Sequence, residues 1–470
     1  MERMSSASQL AAFNLDYSLK NIPTGNKNGY RIRLYDRASK FIQNVRWRVY
    51  WYCKKGKKKE TDEPERSIYS FPSSRSAEPN PLLQPFEKGL FDLVESVKFR
   101  DGTSRFQKRL RKDINNIKNS KKIFAFSDKT NNIYQLDAEE YKKLVRDNIT
   151  KGYRKAPKGT IDAINGEACG IIERAQVKGR VPKLSLSPAF VTIKDHKDGF
   201  PNKVACRLIN PSKSHIAKVS KSILDNINEA IREKTNLIQW KNSQEVVHWF
   251  NCIEDKKNAL FLKFDIVEFY PSIKKEQLTQ AINFAREFTN ISEDDERLIM
   301  HSCKTILTDE EGNVWEKKDN DELFDVAMGS FHGAEICDLL GLYLLNRLSA
   351  ILSEGSYGLY RDDGLAITRK LPPSGLERLS KSIRKVFDEA GFKITIDTGL
   401  YCTDFLDVYL DLRKDEYRPF RKENSRTAYI DNASNHPRYV RKALPGMMHQ
   451  RIYSLSKNCE VYEQSRKIYD

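Results

Sequence analysis

Two adjacent aspartates, Asp362 and Asp363, stand between short apolar runs of the chain. The dipeptide Asp363-Gly364 favours a tight hairpin turn, because glycine tolerates the positive φ that such turns require. The pattern therefore predicts that both carboxylates lie at the tip of a β-hairpin. Neighbouring carboxylates repel each other, and a bound cation would relieve that repulsion. Taken alone, the stretch has a plainer interpretation as an exposed acidic turn.

A third carboxylate follows a strand pattern upstream. Leu260, Leu262 and Phe264 alternate with the residues between them as in a β-strand, and Asp265 comes at the end of that run. A strand end holds a metal ligand on a rigid element. If this strand and the hairpin are neighbours in one sheet, the three aspartates converge. Oxygen ligands of this kind suit Mg²⁺ in a two-metal site for phosphoryl transfer.

These residues resemble the sequence motifs of reverse transcriptases, and the likeness is greatest to those of Penelope-like retroelements and their relatives. Asp265–Tyr270 (DIVEFY) is similar to motif A, and Tyr360–Asp363 (YRDD) is similar to motif C. Ala327–Gly333 (AMGSFHG) stands where motif B belongs, with Ala-Met-Gly in place of the usual Pro-Gln-Gly. The resemblance covers roughly residues 105–460.

The resemblance implies an RNA-directed DNA polymerase that extends a DNA or RNA primer with dNTPs on an RNA template. It implies Asp265, Asp362 and Asp363 as catalytic metal ligands, with the Ile266 carbonyl contributing, and Mg²⁺ or Mn²⁺ as cofactor. Two alternatives stay open. An RNA-directed RNA polymerase also uses a hairpin that ends in Asp-Asp, and a nucleic-acid-binding scaffold could keep the fold without activity.

The incoming nucleotide is predicted to meet a second hairpin, at residues 190–209. Lys194 follows its first arm and Arg207 lies in its second arm. A triphosphate carries about four negative charges, and a lysine with a forked arginine is the expected pair of ligands. In reverse transcriptases a hairpin of the fingers presents such a pair. The resemblance also implies Tyr270 as the steric gate against rNTPs and Gly329 as a small residue beside the nucleotide.

Further residues are predicted to contact primer or template. They are Lys197, Lys213 and Lys218 around the fingers, Ser330 and Gly333 before the helix of motif B, Phe405, Leu406 and Asp407 in a bend that resembles the primer grip, and Arg438, Arg441 and Lys442 in a segment that resembles the start of a thumb.

Composition agrees with a polyanionic partner. The 470 residues include 81 Lys and Arg against 64 Asp and Glu, for a formal net charge of +17. Such an excess suits nucleic acid, although a basic protein without that partner is the plainer alternative. The eight cysteines include no C-x-x-C pair, so neither a zinc module nor a disulfide framework is predicted. We expect an intracellular protein, located in the nucleus if it comes from a eukaryotic retroelement.

A membrane segment is not predicted from the sequence. The first residues lack the apolar core of a signal peptide. The longest apolar run, Leu339–Leu352, is interrupted by Asn346 and Arg347 and is too short to cross a bilayer.

The order of predicted elements defines the expected fold class. A strand, two helices, a hairpin, a helix and a strand give an antiparallel sheet with helices on one face, an α+β palm of the ferredoxin-like type. With the resemblance, this predicts a right-hand polymerase with fingers, palm and a short helical thumb. The predicted boundaries are 1–100 for an N-terminal extension with linker, 101–255 for the fingers, 256–415 for the palm and 416–470 for the thumb.

Overall fold

The computed structural model describes residues 1–3, 27–55, 78–99, 105–130, 132–175, 185–212, 216–318, 323–421 and 438–469. These residues form two compact units. The first comprises described residues of Met1–Ala125 and Asn132–Ala138, and the second comprises those of Phe126–Asn131, Glu139–Thr427 and Arg438–Asp470. The second unit thus contains most of the predicted fingers together with the predicted palm, and the four-part division stays a prediction.

Helices contribute more residues than strands to both units. The α-helices are α1 (Lys27–Lys55), α2 (Gln84–Ser96), α3 (Arg105–Asn119), α4 (Ala138–Gly152), α5 (Thr160–Arg174), α6 (Ile216–Lys234), α7 (Ser243–Asn251), α8 (Phe269–Ser272), α9 (Lys275–Ala285), α10 (Glu293–Ser302), α11 (Gly333–Leu348), α12 (Pro373–Glu389), α13 (Arg438–Ser454) and α14 (Cys459–Tyr469). Single 3₁₀ turns occupy Pro81–Leu83 and Lys256–Asn258. Within the described ranges, no helix has the length and apolarity that a membrane span requires.

The strands among the described residues form five small sheets. They are β1 (Glu2–Arg3), β2 (Lys122–Phe126), β3 (Ile133–Asp137), β4 (Tyr153–Lys155), β5 (Phe190–Ile193), β6 (Cys206–Ile209), β7 (Ala259–Ile266), β8 (Leu307–Thr308), β9 (Val314–Lys317), β10 (Tyr357–Tyr360), β11 (Asp363–Arg369), β12 (Ile394–Leu400), β13 (Cys402–Phe405), β14 (Val408–Asp411) and β15 (Glu416–Pro419). The sheet orders are β1-β3-β2, β4-β9-β8, β5-β6, β10-β11-β7-β12 and β13-β14-β15.

The four-stranded sheet β10-β11-β7-β12 is antiparallel throughout and is the predicted one. One face packs on helices, where Phe264 of β7 meets Phe387 of α12 with ring centroids 5.6 Å apart. On the opposite face, Phe261 stacks at 6.3 Å on Phe250 of α7 and joins an apolar cluster with β13–β15. The prediction of helices on one face only is therefore too simple, because α7 covers part of the other face.

The edge strand of this sheet is covered by a short extended segment. Gln239 forms a parallel bridge with Leu359 of β10. The Trp240 N–H donates to the Leu359 carbonyl at 2.8 Å, and the Leu359 N–H donates to the Ile238 carbonyl at 3.1 Å. A Cβ at Gly358 would lie 2.8 Å from the Trp240 ring, so glycine is needed for this close approach.

Candidate active site

The hairpin β10–β11 carries the Asp-Asp pair. Tyr360 and Asp363 are cross-strand partners, so Arg361 and Asp362 form the two-residue turn. Arg361 takes a positive φ of 55° in that turn. The predicted turn at Asp363-Gly364 is therefore wrong, because both residues belong to β11 and the arginine adopts the left-handed conformation instead.

Gly364 is needed for a different reason, the approach of an aromatic ring. A Cβ at this position would lie 2.0 Å from Cε2 of Phe264, the partner residue on β7. Real side chains cannot come so close, so any other residue would push Phe264 or the strand aside. The glycine thus lets β11 lie against β7 with the Phe264 ring across it.

The sheet brings the three aspartates side by side. Asp363 on β11 is the direct cross-strand partner of Asp265 on β7. The carbonyl of Asp362, in the turn, accepts a hydrogen bond of 2.9 Å from the N–H of Ile266. The end of β7 and the hairpin turn are therefore held together by the backbone, and Ile266, whose carbonyl was predicted as a further ligand, adjoins them.

The carboxylates sit in a strongly negative, partly desolvated environment. Burial, and then the charge of Asp362, raise the pKa of Asp265. Burial and the charges of Asp362 and Asp265 raise the pKa of Asp363 to about 6. Such mutual repulsion is what a bound divalent cation would relieve, so the donor set fits Mg²⁺ or Mn²⁺. Within the described residues, no three His, Cys, Asp or Glu side chains are placed to hold a metal ion by themselves. Other ligands would have to come from substrate phosphates and water.

The hairpin β5–β6 carries the predicted cations. Thr192 and Arg207 are cross-strand partners, and the Lys194 N–H donates to the Ala205 carbonyl at 2.8 Å. Burial lowers the pKa of the half-buried Lys194, and the charge of Arg207 lowers it further. The two predicted residues are therefore electrostatic neighbours. Arg207 Nη1 also lies 3.0 Å from Oδ1 of Asp128, a carboxylate that is only 5% exposed.

Sequence reasoning missed Lys129, the next residue along from Asp128. Its positive charge lowers the pKa of both Asp265 and Asp363, and Lys197 does the same at Asp265. The loop that carries Lys129 is fixed to the hairpin, because the Asp128 N–H donates to the Ile193 carbonyl at 2.8 Å. The signal in the sequence was only an Asp-Lys dipeptide in a turn, with nothing local to connect it to the aspartates.

Tyr270, the predicted gate, lies toward the hairpin turn. Phe269 beside it is buried and packs edge-on against Phe392 at 5.4 Å. The Tyr270 hydroxyl instead accepts a hydrogen bond of 3.0 Å from Nη1 of Arg361. Burial raises the pKa of Tyr270, so the hydroxyl stays protonated. The charge of Arg361 also acts on Asp338 of α11, whose pKa burial raises.

The small residues of the motif B stretch make close contacts. Gly329 has a φ of 102°, and a Cβ there would lie 2.8 Å from the carbonyl oxygen of Asn210. A Cβ at Gly333 would meet Oγ of the buried Ser330 hydroxyl at 2.6 Å and Cε1 of Tyr270 at 3.3 Å. Gly329 thus allows contact with the chain after β6, and Gly333 allows the Tyr270 ring to pack against α11.

The bend between β13 and β14 is tied to its surroundings by polar contacts. Lys263 of β7 donates from Nζ to the Asp404 carbonyl at 2.7 Å, and Arg451 of α13 pairs with Asp407 at 2.6 Å. Leu406 takes a positive φ of 52°. Phe405 is 1% exposed and packs edge-on against Trp240. Its side chain therefore supports the bend from behind and does not reach a primer, which corrects that prediction.

The remaining residues predicted to contact primer or template lie on helices α6 and α13 or outside the described residues. Lys218 is exposed on α6, with Nζ 5.0 Å from the centre of the Phe331 ring, and Lys442 is exposed on α13. Arg438 and Arg441 also belong to α13, but their side chains fall outside the described part of the chain, as does Lys213.

No protein family model matches the chain, and no curated protein matches it. Among solved structures, the chain is similar to telomerase from Candida albicans in complex with the TWJ fragment of telomeric RNA, with a TM-score of 0.50, 11% identity, and coverage of 78% of this chain and 69% of that one. It is more weakly similar to telomerase from Candida tropicalis in complex with a TWJ fragment, at a TM-score of 0.47 and 12% identity over 80% of this chain and 66% of that one. For the RNA-dependent RNA polymerase of a human picobirnavirus the TM-score is 0.37, with 10% identity over 70% of each chain.

The likeness to the Candida albicans telomerase identifies the fold. It is an α+β fold similar to that of this telomerase. The two weaker likenesses carry no further argument. The closer resemblance to Penelope-like enzymes rests on the sequence motifs alone.

Proposed function

We propose that this protein is an RNA-directed DNA polymerase, a reverse transcriptase similar to those of Penelope-like retroelements. The observation that carries the proposal is the placement of Asp265 opposite Asp363, with Asp362 in the adjoining turn. In this proposal the sheet β10-β11-β7-β12 is the palm, the hairpin β5–β6 belongs to the fingers, and α13 and α14 form a short thumb. The similarity in fold to the Candida albicans telomerase supports it independently of the motifs.

The three aspartates are the residues that would hold Mg²⁺ or Mn²⁺. In such a site the chemistry that the bound ions supply is activation of a primer 3′-hydroxyl and neutralisation of charge on the reacting phosphate. The aspartates themselves serve to place that positive charge at the end of β7 and at the hairpin turn. Because burial and neighbouring carboxylates raise the pKa of Asp265 and of Asp363, cation binding is expected to strengthen as these two groups deprotonate.

The opposing cations would bind the triphosphate of a dNTP. Lys194 and Arg207 are the proposed ligands, and Lys129 and Lys197 add positive charge on the side of the aspartates. The pairing of Arg207 with Asp128 fixes the guanidinium in place before a nucleotide arrives. A preorganised cation loses less freedom on binding phosphate than a mobile one would.

Tyr270 would select the sugar. Its ring packs against Gly333 and its hydroxyl is held by Arg361, so it forms a fixed wall beside the hairpin turn. Exclusion of one hydroxyl by such a wall is worth roughly 2–4 kcal/mol, or about a thirty- to thousandfold preference for dNTPs. An RNA-directed RNA polymerase would show no such preference.

Primer extension on a homopolymer RNA template with a DNA primer tests the proposal. We expect dNTP addition by the wild type, and loss of addition with retained template binding in Asp265→Asn and Asp362→Asn. Asp388→Asn, on the exposed side of α12, is the matched control and should be fully active. Activity retained in either site variant would refute the metal-site assignment. Equal use of rNTPs would indicate an RNA polymerase, and template binding without any addition would indicate a scaffold.

A further inference from the structure

We propose that helix α1 is a second RNA-binding surface, which holds a single-stranded RNA segment through its phosphates and bases. Its 29 residues contain nine Lys or Arg and a single acidic residue, Asp36. At 1.5 Å per residue the helix is about 43 Å long. The proposal concerns residues other than those of the polymerase site and does not require catalysis.

One face of α1 is already occupied by α2. The Tyr35 ring stacks on Phe91 with centroids 5.7 Å apart, and Ala38 and Ile42 are buried. Arg46, four residues further on, points the same way and pairs with a residue of α2. The three- and four-residue spacing of these positions marks them as one side of the helix.

Charge on that side is neutralised. Arg46 makes two hydrogen bonds to the Glu87 carboxylate, at 2.6 and 2.5 Å, and both side chains are 15% exposed. The Tyr35 hydroxyl donates to Glu95 at 2.7 Å. The Arg46 guanidinium is therefore satisfied by α2 and is not available to a partner.

The opposite side of α1 carries cations that face solvent. At 100° per residue, Arg37 and Lys40 point away from α2. Arg48 lies on the flank next to Phe41, whose ring contacts Phe86 of α2. All three cations are exposed. A row of exposed cations along one helix face is the electrostatic footprint of a phosphate backbone.

Aromatic residues interleave with this row. Trp47 lies on the same side and meets Tyr50 edge-on at 5.6 Å. Tyr50 is 43% exposed and Tyr52 is 81% exposed. Exposed rings beside cations suit the stacking of unpaired bases, which favours single-stranded RNA over an acidic protein. A membrane-bound helix would bury one continuous apolar face in lipid, whereas the exposed apolar side chains of α1, Ile32 and Phe41, lie on opposite flanks of the helix.

The test compares the full chain with the triple variant Arg37→Gln, Lys40→Gln, Arg48→Gln. Binding of a labelled oligouridylate of about 20 nucleotides is measured over a range of KCl, with unlabelled primer–template hybrid in excess. Loss of three phosphate contacts, at about 0.7 ion each, should lower the slope of log Kd against log salt by about 2. The affinity at physiological salt should fall about tenfold.

The matched control is Lys381→Gln, Arg384→Gln, Lys385→Gln, which removes the same charge from the exposed side of α12 and should leave both quantities unchanged. Tyr52→Ala should weaken binding about fivefold or more at an unchanged salt slope. Equal effects of the two triple variants, no effect of either, or an unchanged affinity in Tyr52→Ala would overturn the proposal. Vesicle binding gives a further check. If the full chain binds phosphatidylserine vesicles and the α1 triple variant selectively loses that binding, the surface is a membrane contact and the proposal is overturned. Failure of primer extension in the wild type would refute the proposed polymerase function and leave this result unaffected.

Discussion

Replacing Arg361 by methionine is expected to reduce the preference for dNTPs over rNTPs while nucleotide addition continues. Arg361 Nη1 donates a hydrogen bond of 3.0 Å to the hydroxyl of Tyr270, which holds the ring of the proposed gate. The charge of Asp338 on α11 also favours the charged form of the guanidinium and raises its pKa. Without this hydrogen bond the ring keeps its packing against Gly333 but gains freedom to tilt away from the sugar.

The size of the effect follows from the kind of hydrogen bond. A bond from a charged donor contributes about 1.5–3 kcal/mol when it is well buried. Both partners are only partly buried, so we expect about 1–1.5 kcal/mol. That corresponds to a loss of about five- to thirteenfold in selectivity. It is a fraction of the roughly thirty- to thousandfold preference expected of the gate as a whole.

The assay is single-nucleotide addition, with kcat/KM measured for dNTP and for the matching rNTP. Arg361→Met, Tyr270→Phe and the double variant form a double-mutant cycle. Because both single changes remove the same hydrogen bond, the double variant should lose no more selectivity than either one. Additive losses, or an unchanged ratio in Arg361→Met, would refute the reasoning. Arg347→Met is the control, since Arg347 makes a similar 3.4 Å contact with the hydroxyl of Tyr343 along α11.

Three further predictions concern the nucleotide ligands, the close glycine and the carboxylates. Lys194→Ala and Arg207→Ala should each raise the KM for dNTP about tenfold or more with little change in RNA affinity. A variant that weakens dNTP use and RNA binding to the same extent would contradict the assignment of these residues to the triphosphate. Gly364→Ala should destabilise the fold by about 1–3 kcal/mol or more, seen as a lower Tm, because its Cβ would strike the Phe264 ring at 2.0 Å, and Phe264→Leu should restore part of the loss. The pKa of Asp363 is raised from 3.8 to about 6, so the metal-free fold loses stability as pH rises through that range. Asp363→Asn removes this charge and should stabilise the fold at pH 7.5 by at most about 3 kcal/mol. The same variant should not stabilise the fold at pH 4. A gain that is equal at both pH values would contradict the pKa assignment.

The parts of the site that depend on local pattern could be predicted from the sequence. The alternation along β7 placed Asp265 at a strand end, and the apolar runs around Asp362 predicted a hairpin, because strand periodicity is a property of neighbouring residues. The turn lies two residues earlier than predicted, at Arg361-Asp362 and not at Asp363-Gly364. Local preference assigns the positive φ to Gly364, but the Phe264 ring needs that glycine inside the strand, and Arg361 takes the turn position.

The parts that depend on contacts between distant segments could not be predicted. Asp128 meets Arg207 because its own N–H is bonded to the carbonyl of Ile193 in β5. Nothing in the residues around Asp128 indicates that partner. Phe405 illustrates the reverse case, since an aromatic in a bend can face either a ligand or the core. Only the cluster on the far side of the sheet decides that it faces the core.

The extended segment at Ile238–Trp240 has a consequence for how copies of this chain meet. A bare edge strand offers unpaired N–H and C=O groups to any other strand, and such edges are common starting points for aggregation. Here the Leu359 N–H and C=O groups on the outer side of β10 are already bonded within the chain. The strand that leads into the Asp-Asp turn is therefore closed to edge-to-edge pairing along that stretch. Loosening the segment, for example by Trp240→Ala, would expose this strand to other chains, so the cost would extend to colloidal stability at high protein concentration.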